Sequence, residues 1–154
     1  MRAAKAFMIA ALVSGAAAPP LAAQGALDRG EAEQKLRAYV RVWEADERVG
    51  PRAMREYYAD RVIYYGKRMS RSEVLADKQR FIQTYPRRRY DIAPDTLRTE
   101  CEAGRCVARA VLLWRRARAD GASQSGASML TLVFSAAAGG RIVQESARTL
   151  RNNR

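Results

Sequence analysis

Residues 97–113 read LRTECEAGRCVARAVLL. This pattern predicts two antiparallel strands joined by a two-residue turn at Ala103 and Gly104. In that register Cys101 faces Cys106 as a non-hydrogen-bonded pair, whose Cα atoms lie about 4.5 Å apart. The separation is near the lower limit for a disulfide, so we expect the hairpin to be cross-linked. A C-x4-C pair without a second pair or any histidine is a poor zinc site, and metal binding is the weaker alternative.

The N-terminal segment has the layout of a signal peptide. Arg2 and Lys5 precede an apolar run over residues 6–18 that is too short to span a bilayer, and Ala22 and Ala23 supply small residues before a cleavage point. We predict a signal peptide over residues 1–23 and one mature domain over residues 24–154, with an uncleaved signal anchor as the alternative. We therefore expect a periplasmic or secreted bacterial protein. Such an oxidising compartment favours a disulfide over free thiols.

The charge is strongly basic. The chain has 28 lysine and arginine residues against 16 acidic residues, a formal net charge of +12. A basic exported protein can meet acidic lipids, polymers or an acidic partner, so one hypothesis is an arginine-driven binder of anionic surfaces. Arginines gather at residues 87–89 and 115–118, but strand alternation splits each group between two faces. Because the protein is predicted to be exported, nucleic acid is not expected as a partner.

Three helices are predicted before the hairpin. The first spans residues 26–46 with Asp28 as its N-cap, and Pro51 starts a shorter second helix. The third begins at a capping box formed by Ser70 and Glu73 and ends at Pro86. The first helix has an apolar stripe at Leu36, Tyr39, Val40 and Trp43, and the third has one at Val74, Leu75, Phe81, Ile82 and Tyr85.

The remaining segments predict strands at residues 62–65, 87–92, 128–134 and 141–147, with a polar loop at residues 120–126. The run at 128–134 is apolar on both faces, which indicates a central strand. Helices followed by a series of strands indicate an α+β fold. We therefore predict a curved antiparallel sheet that forms a cone, covered by about three N-terminal helices.

Several motifs carry a family resemblance. Residues 58–66 read YADRVIYYG, residues 68–80 read RMSRSEVLADKQR, and residues 140–146 read GRIVQES. Together they resemble the nuclear transport factor 2-like (SnoaL-like) superfamily, in particular a bacterial exported subgroup with a Tyr-Tyr-Gly strand and an Asp-Lys helix. Gly140 stands where a tryptophan usually precedes the arginine. The resemblance implies a cone of bent sheet closed by helices, but the superfamily contains enzymes, binders and assembly modules, so it does not fix the function.

Catalytic options are limited because the sequence contains no histidine, the commonest general base. We assign no catalytic residue, metal site or cofactor. Carboxylate and tyrosine chemistry remains, as in the ketosteroid isomerases of the superfamily, which use an aspartate base and a tyrosine-containing oxyanion hole. The candidates for it are Tyr57, Tyr58, Asp60, Tyr64, Tyr65, Asp91 and Glu145, and none of them matches the isomerase motif.

Strand alternation indicates where a pocket would lie. It places Ala108, Ala110 and Trp114 on the face of the hairpin that carries the cysteines, where the small alanines leave room for a helix or a ligand. It sends Tyr64 and Tyr65 to opposite faces. The residues predicted to line a pocket are Trp43, Tyr58, Tyr64, Asp91 and Trp114.

The leading hypothesis is an exported module that binds a small apolar or anionic ligand or another protein, and that forms a homodimer through its open sheet face. The alternative is a small isomerase, dehydratase or cyclase that uses an aspartate and a tyrosine in the cone. An open cavity with a carboxylate and a tyrosine on its wall is the feature that the enzyme requires.

Overall fold

A computed structural model of the chain describes residues 27–44 and 51–150. The predicted signal peptide lies outside these residues. The described residues form three α-helices, seven β-strands and one turn of 3-10 helix. In chain order these are α1 (Arg29–Glu44), α2 (Pro51–Tyr57), β1 (Tyr58–Tyr64), β2 (Lys67–Ser70), α3 (Arg71–Thr84), β3 (Arg87–Ile92), β4 (Arg98–Glu102), β5 (Arg105–Ala117), β6 (Ser123–Ser135), the 3-10 turn (Ala136–Ala138) and β7 (Arg141–Leu150).

The strands form one curled, unclosed sheet with the helices packed against it, so the α+β prediction is confirmed. The strand order is β2-β1-β7-β6-β5-β3, and β4 pairs with β5 as well. The central position predicted for residues 128–134 is confirmed, since β6 lies between β5 and β7. The sheet is mixed rather than wholly antiparallel, because β1 pairs parallel with β7. These two strands are distant in sequence, and no local pattern reveals the direction of their pairing.

The hairpin has the predicted register. Cys101 lies opposite Cys106 and the two are joined by a disulfide, with Cα atoms 4.1 Å apart. The turn residues Ala103 and Gly104 both have positive φ, 47° and 74°. Two consecutive left-handed residues match the right-handed twist of the flanking strands, which is why a two-residue turn suffices here.

Helix α1 packs along the inner face of the sheet, the face that carries Cys106, Ala108, Ala110 and Leu112. Its predicted N-cap is confirmed, because the Asp28 carboxylate accepts a hydrogen bond of 2.8 Å from the Glu31 amide. The predicted stripe is buried and belongs to one core with the inner-face residues. Because Ala108 and Ala110 are fully buried in that core, it is a helix, and not a ligand, that occupies the room beside them.

Helix α3 starts at the predicted capping box. The Ser70 hydroxyl accepts from the Glu73 amide, while the Glu73 carboxylate accepts from the Ser70 amide. The helix buries Val74 and, one turn later, Lys78. A lysine therefore occupies the centre of the face by which this helix contacts the fold.

Some predicted boundaries were wrong. The strand predicted at residues 62–65 begins four residues earlier, at Tyr58, and the short strand β2 was not predicted. Strand β6 begins at Ser123, inside the segment predicted as a loop. Packing explains the glycine at the end of this segment: Gly126 lies opposite Trp114, and a Cβ atom at Gly126 would lie 2.5 Å from the indole ring. Among the described residues, no helix is both long and apolar enough to cross a membrane.

Candidate functional site

A cavity of about 270 Å³ opens on the inner face of the sheet, between α1, α3 and the ends of β3, β5 and β7. Seven aromatic and four charged side chains line it, together with smaller apolar and hydroxyl residues. The aromatic residues are Tyr39, Trp43, Tyr64, Tyr65, Phe81, Tyr90 and Trp114, and the charged residues are Asp77, Lys78, Arg116 and Glu145.

A buried ion pair lies on one wall of the cavity. Lys78 Nζ of α3 is 2.6 Å from Glu145 Oε1 of β7, and the exposed fractions of the two side chains are 10% and 1%. The ammonium also lies 4.4 Å from the centroid of the Trp43 ring, which favours a cation. Removing two charges from water is costly, so such a pair is stable only when its remaining donors and acceptors are satisfied.

Two tyrosines satisfy those groups. Tyr39 donates to Glu145 Oε2 at 2.9 Å and accepts from Lys78 Nζ at 3.0 Å. Tyr58 donates to the same carboxylate oxygen, and its hydroxyl oxygen is 3.0 Å from that of Tyr39. Burial, followed by the Glu145 carboxylate, raises the pKa of both tyrosines well above the usual value. Both hydroxyls therefore keep their protons and act as donors at neutral pH.

This four-residue network of Tyr39, Tyr58, Lys78 and Glu145 is closed on itself. Both carboxylate oxygens of Glu145 already accept hydrogen bonds from donors of the network. A carboxylate in this state is a poor proton acceptor for a substrate, because proton transfer would first have to break the ion pair. The network is better suited to holding α1, α3 and β7 in register and to forming a rigid polar wall.

A second carboxylate is accessible to the cavity. Asp77 Oδ2 accepts a hydrogen bond of 3.0 Å from the Tyr64 hydroxyl, and Oδ1 lies 3.0 Å from an Arg80 nitrogen. The Asp77 side chain is 43% exposed. Burial is the main cause that raises the pKa of Tyr64, so this tyrosine also remains a donor.

Tyr64 and Tyr65 both line the cavity, although alternation predicted opposite faces. Strand β1 ends at Tyr64, and Tyr65 lies in the turn before Gly66 with φ of 48°. Alternation applies only within a strand, so it does not determine the direction of Tyr65. Their rings meet edge to face, with centroids 4.7 Å apart. A bulky side chain in the left-handed region is uncommon, and such residues concentrate at functional sites.

The opposite wall is built by β5 and β6. Trp114 lies over Gly126, and its indole N–H donates to the Ser128 hydroxyl at 3.0 Å. The guanidinium of Arg116 lies two residues further along the same face of β5 and stacks on the rings of Tyr85 and Trp114, at 4.4 and 4.7 Å from their centroids. The absence of a side chain at Gly126 thus leaves space for the Trp114 indole against β6, and the indole in turn packs against Arg116.

The structure places the five predicted pocket residues in three different positions. Trp43, Tyr64 and Trp114 line the cavity. Tyr58 is fully buried behind it and reaches it through Glu145. Asp91 does not line this cavity: it is exposed on the outer face of β3, with Oδ2 3.5 Å from Arg89 Nε. Neighbouring side chains of a strand point to opposite faces of the sheet, and Tyr90 of β3 faces the cavity. Asp91, the next residue, therefore faces away from it.

Sequence reasoning missed Tyr39, Asp77, Lys78 and Arg116 as residues of the site, and it considered Glu145 without choosing it. For Lys78 a signal exists, since it follows Val74 by four positions on the apolar face of α3 and belongs to the Asp-Lys pair of the resemblance. Tyr39 belongs to the predicted stripe of α1, where it was assigned to the core. Arg116 was grouped with its arginine neighbours, which hid its position on the face of Trp114.

The described part of the chain contains no group of three histidine, cysteine, aspartate or glutamate residues that could hold a metal ion. The side chains of the cavity offer aromatic surfaces, one accessible carboxylate and one stacked guanidinium.

No protein-family model and no curated protein matches the sequence. Solved structures do match the fold. A nuclear transport factor 2-like superfamily protein from Salmonella enterica serovar Typhimurium LT2 aligns with a TM-score of 0.66 and 15% identity, over 81% of this chain and 92% of that one. A protein from Streptomyces avermitilis, provisionally assigned as a dehydratase of the nuclear transport factor 2-like family, aligns with a TM-score of 0.65 and 10% identity, over 79% and 96%.

A third structure, provisionally assigned as a SnoaL-like polyketide cyclase from Jannaschia sp. CCS1, has a TM-score of 0.56 and 12% identity, over 88% of this chain and 91% of that one. At these identities the likeness concerns the fold and not the activity. Together with the cone of curled sheet and its covering helices, it shows that the chain has the nuclear transport factor 2-like fold.

Proposed function

We propose that the protein binds a small, planar, mostly apolar organic ligand in the cavity. The observation that carries this proposal is the cavity of about 270 Å³, whose walls include seven aromatic side chains. Cavities of this kind, with apolar walls and a few fixed polar groups, are the usual form of small-molecule sites. Flat rings can stack on Trp43 and Trp114, while the polar groups set the orientation of the ligand.

The rigidity of the walls supports the same proposal. The closed network holds Lys78 and Glu145 in place, and Gly126 with Ser128 fixes the Trp114 indole. A site that is preorganised in this way avoids much of the ordering cost that ligand binding would otherwise carry. A wall of mobile apolar side chains would instead collapse into the empty volume.

Tryptophan fluorescence can test the proposal, because Trp43 and Trp114 are the tryptophans of the chain and both line the cavity. We would titrate the purified protein with 2-naphthoate and with neutral 2-naphthamide. The variant Ala147→Phe fills the cavity, and we expect it to weaken binding of both probes at least about tenfold. Its control is Ser146→Phe on the outer face of the same strand, which should bind as the wild type does. Equal binding by both variants would contradict the proposal.

A proton-transfer enzyme is the second candidate, favoured by the Asp77–Tyr64 pair on the cavity wall. Asp77 could remove a proton α to a carbonyl and return it, and the likeness to provisionally assigned dehydratases and cyclases supports this chemistry. The test is deuterium exchange at the α-carbon of 2-tetralone in D2O, followed by NMR. Catalysed exchange that Asp77→Asn abolishes would support the enzyme; exchange at the uncatalysed rate would leave binding as the function.

We also propose that the protein is exported to the periplasm or the medium. The Cys101–Cys106 disulfide supports this, because such bonds persist in oxidising compartments. Intact-mass measurement on protein from fractionated cells tests it. We expect an extracytoplasmic chain cleaved near Ala23 with an oxidised cysteine pair, and a cytoplasmic full-length chain with free thiols would refute it.

A homodimer through the outer sheet face is proposed as well. On this face Leu113 is 46% exposed, and Val107 and Val111 are half-buried beside it. Light scattering after size exclusion should give the mass of a dimer, and Leu113→Glu should give a monomer. An unchanged mass in that variant would exclude this face.

Binding to anionic surfaces remains a prediction. It is checked by the salt dependence of binding to acidic vesicles.

A further inference from the structure

We infer that the ligand is an organic acid, and that Arg116 binds its carboxylate at the mouth of the cavity. This inference rests on the proposed ligand-binding function and adds the class of ligand. It is carried by the position of the guanidinium, the rings that hold it, and the donors that it leaves unused.

The position of Arg116 follows from strand register. On β5 it is two residues beyond Trp114 and lies directly opposite Gln124 of β6 and Arg88 of β3. Alternation puts Leu112, Trp114 and Arg116 on the inner face, and all three line the cavity. Arg116 also borders a shallower groove with Arg87 and Arg89, so it lies where the cavity meets the surface.

Aromatic rings fix the guanidinium. It lies 4.4 Å from the Tyr85 centroid, 4.7 Å from that of Trp114 and 5.6 Å from that of Phe81. Stacking on ring faces leaves the edge of the guanidinium plane, where the N–H groups point, open to a partner. The side chain is thereby preorganised, and little entropy is lost when an anion binds.

In the part of the chain that the structure describes, most of the Arg116 donors have no partner. Nε donates to Gln124 Oε1 at 3.1 Å, and within the described residues no carboxylate lies within 4 Å of the guanidinium. The other cation of the cavity, Lys78, is paired with Glu145.

These features favour a ligand in which a carboxylate is attached to a flat apolar group. The guanidinium fork matches the two oxygens of a carboxylate and binds them in a bidentate manner. The aromatic walls accept the flat apolar part of the same molecule, and the closed network keeps Glu145 away from it. A neutral ligand of the same shape would leave the guanidinium without a partner.

The experiment compares an acid with its neutral isostere. Wild-type protein is titrated with 2-naphthoate and 2-naphthamide, and we expect the acid to bind about tenfold more tightly, as a hydrogen bond to a charged group requires. Arg116→Gln should reduce the affinity for the acid to that for the amide and leave the amide unchanged. Arg116→Lys should retain part of the preference. Thermal unfolding of each variant verifies that it is folded.

Arg115→Gln is the matched control, because it removes the same charge from the next residue, which is exposed on the outer face. It should change the preference less than twofold. If both probes bind the wild type equally, or if Arg115→Gln loses the preference as Arg116→Gln does, the inference is wrong while the binding function stands. If neither probe binds, the proposed function fails and the inference fails with it.

Discussion

The two ends of the inner sheet face carry different side chains and are filled in different ways. At the end near the cysteine hairpin, small residues such as Ala108 and Ala110 are fully buried beneath α1, and Ala32 and Leu36 of that helix are fully buried as well. At the other end Trp43, Lys78 and Trp114 surround an open cavity. Close packing of small side chains excludes ligands, whereas large rings and a fixed ion pair leave a volume that the described residues do not fill.

The course of α1 connects these ends. Near its start, the backbone carbonyl of Asp28 lies 3.6 Å from Cys106 Sγ, and near its end the Trp43 carbonyl accepts a hydrogen bond from Arg88. One helix therefore closes one end and contributes Tyr39 and Trp43 to the other. The comparison shows that the helix occupies the room left by the small residues, and that the cavity lies beyond them.

The largest expected effect comes from breaking the ion pair at the open end. Lys78→Met leaves the Glu145 carboxylate buried without its cation, and we expect the free energy of unfolding to fall by about 3–5 kcal/mol. Urea denaturation measures this change. Adding Glu145→Gln should recover part of the loss, because the amide keeps an acceptor for Tyr39 and Tyr58 without a charge. A loss below about 1 kcal/mol in the single variant would mean that the network is not structural.

A matched pair of substitutions tests the contrast in packing. Ala108→Leu should destabilise the protein by about 1–3 kcal/mol, because the added methylenes must displace α1. Ala147→Leu adds the same atoms beside the cavity and should change stability by less than about 1 kcal/mol. Both values come from urea denaturation. Equal losses would show that the two ends are equally well packed.

The fold was largely predictable because its elements have strong local signals. The Cys101–Cys106 register follows from the turn residues, and the capping box at Ser70 defines the start of α3. Alternation correctly separated the two faces of β5. These features depend on neighbours in sequence, so a single sequence contains them.

The site was predicted only in part, because its geometry depends on distant segments. Lys78 and Glu145 meet only when α3 packs across the sheet onto β7. The two residues are far apart in sequence, so no local pattern predicts this contact. Asp91 was expected to line the pocket but lies on the outer face, because the pairing of β3 with β5 decides which of its residues face inward. Gly126 resembled a loop residue, and only its position beneath Trp114 explains it.

A third expected effect concerns pH. Tyr39 and Tyr58 keep their protons in the folded state because their pKa is raised, whereas tyrosines of the unfolded chain release theirs above about pH 10. Stability is therefore fully present below that pH and falls above it, by about 1.4 kcal/mol per pH unit for each such tyrosine. Tyr58→Phe should remove one such contribution from the slope, as measured by urea denaturation between pH 9 and 11. Parallel slopes for the variant and the wild type would contradict the buried network.

The most direct test of the claim that the open end holds the ligand is a crystal structure with 2-naphthoate. The rings should lie in the cavity between Trp43 and Trp114, with the carboxylate beside the Arg116 guanidinium. A cavity closed by side chains, or the probe bound elsewhere while the cavity stays free, would contradict the account.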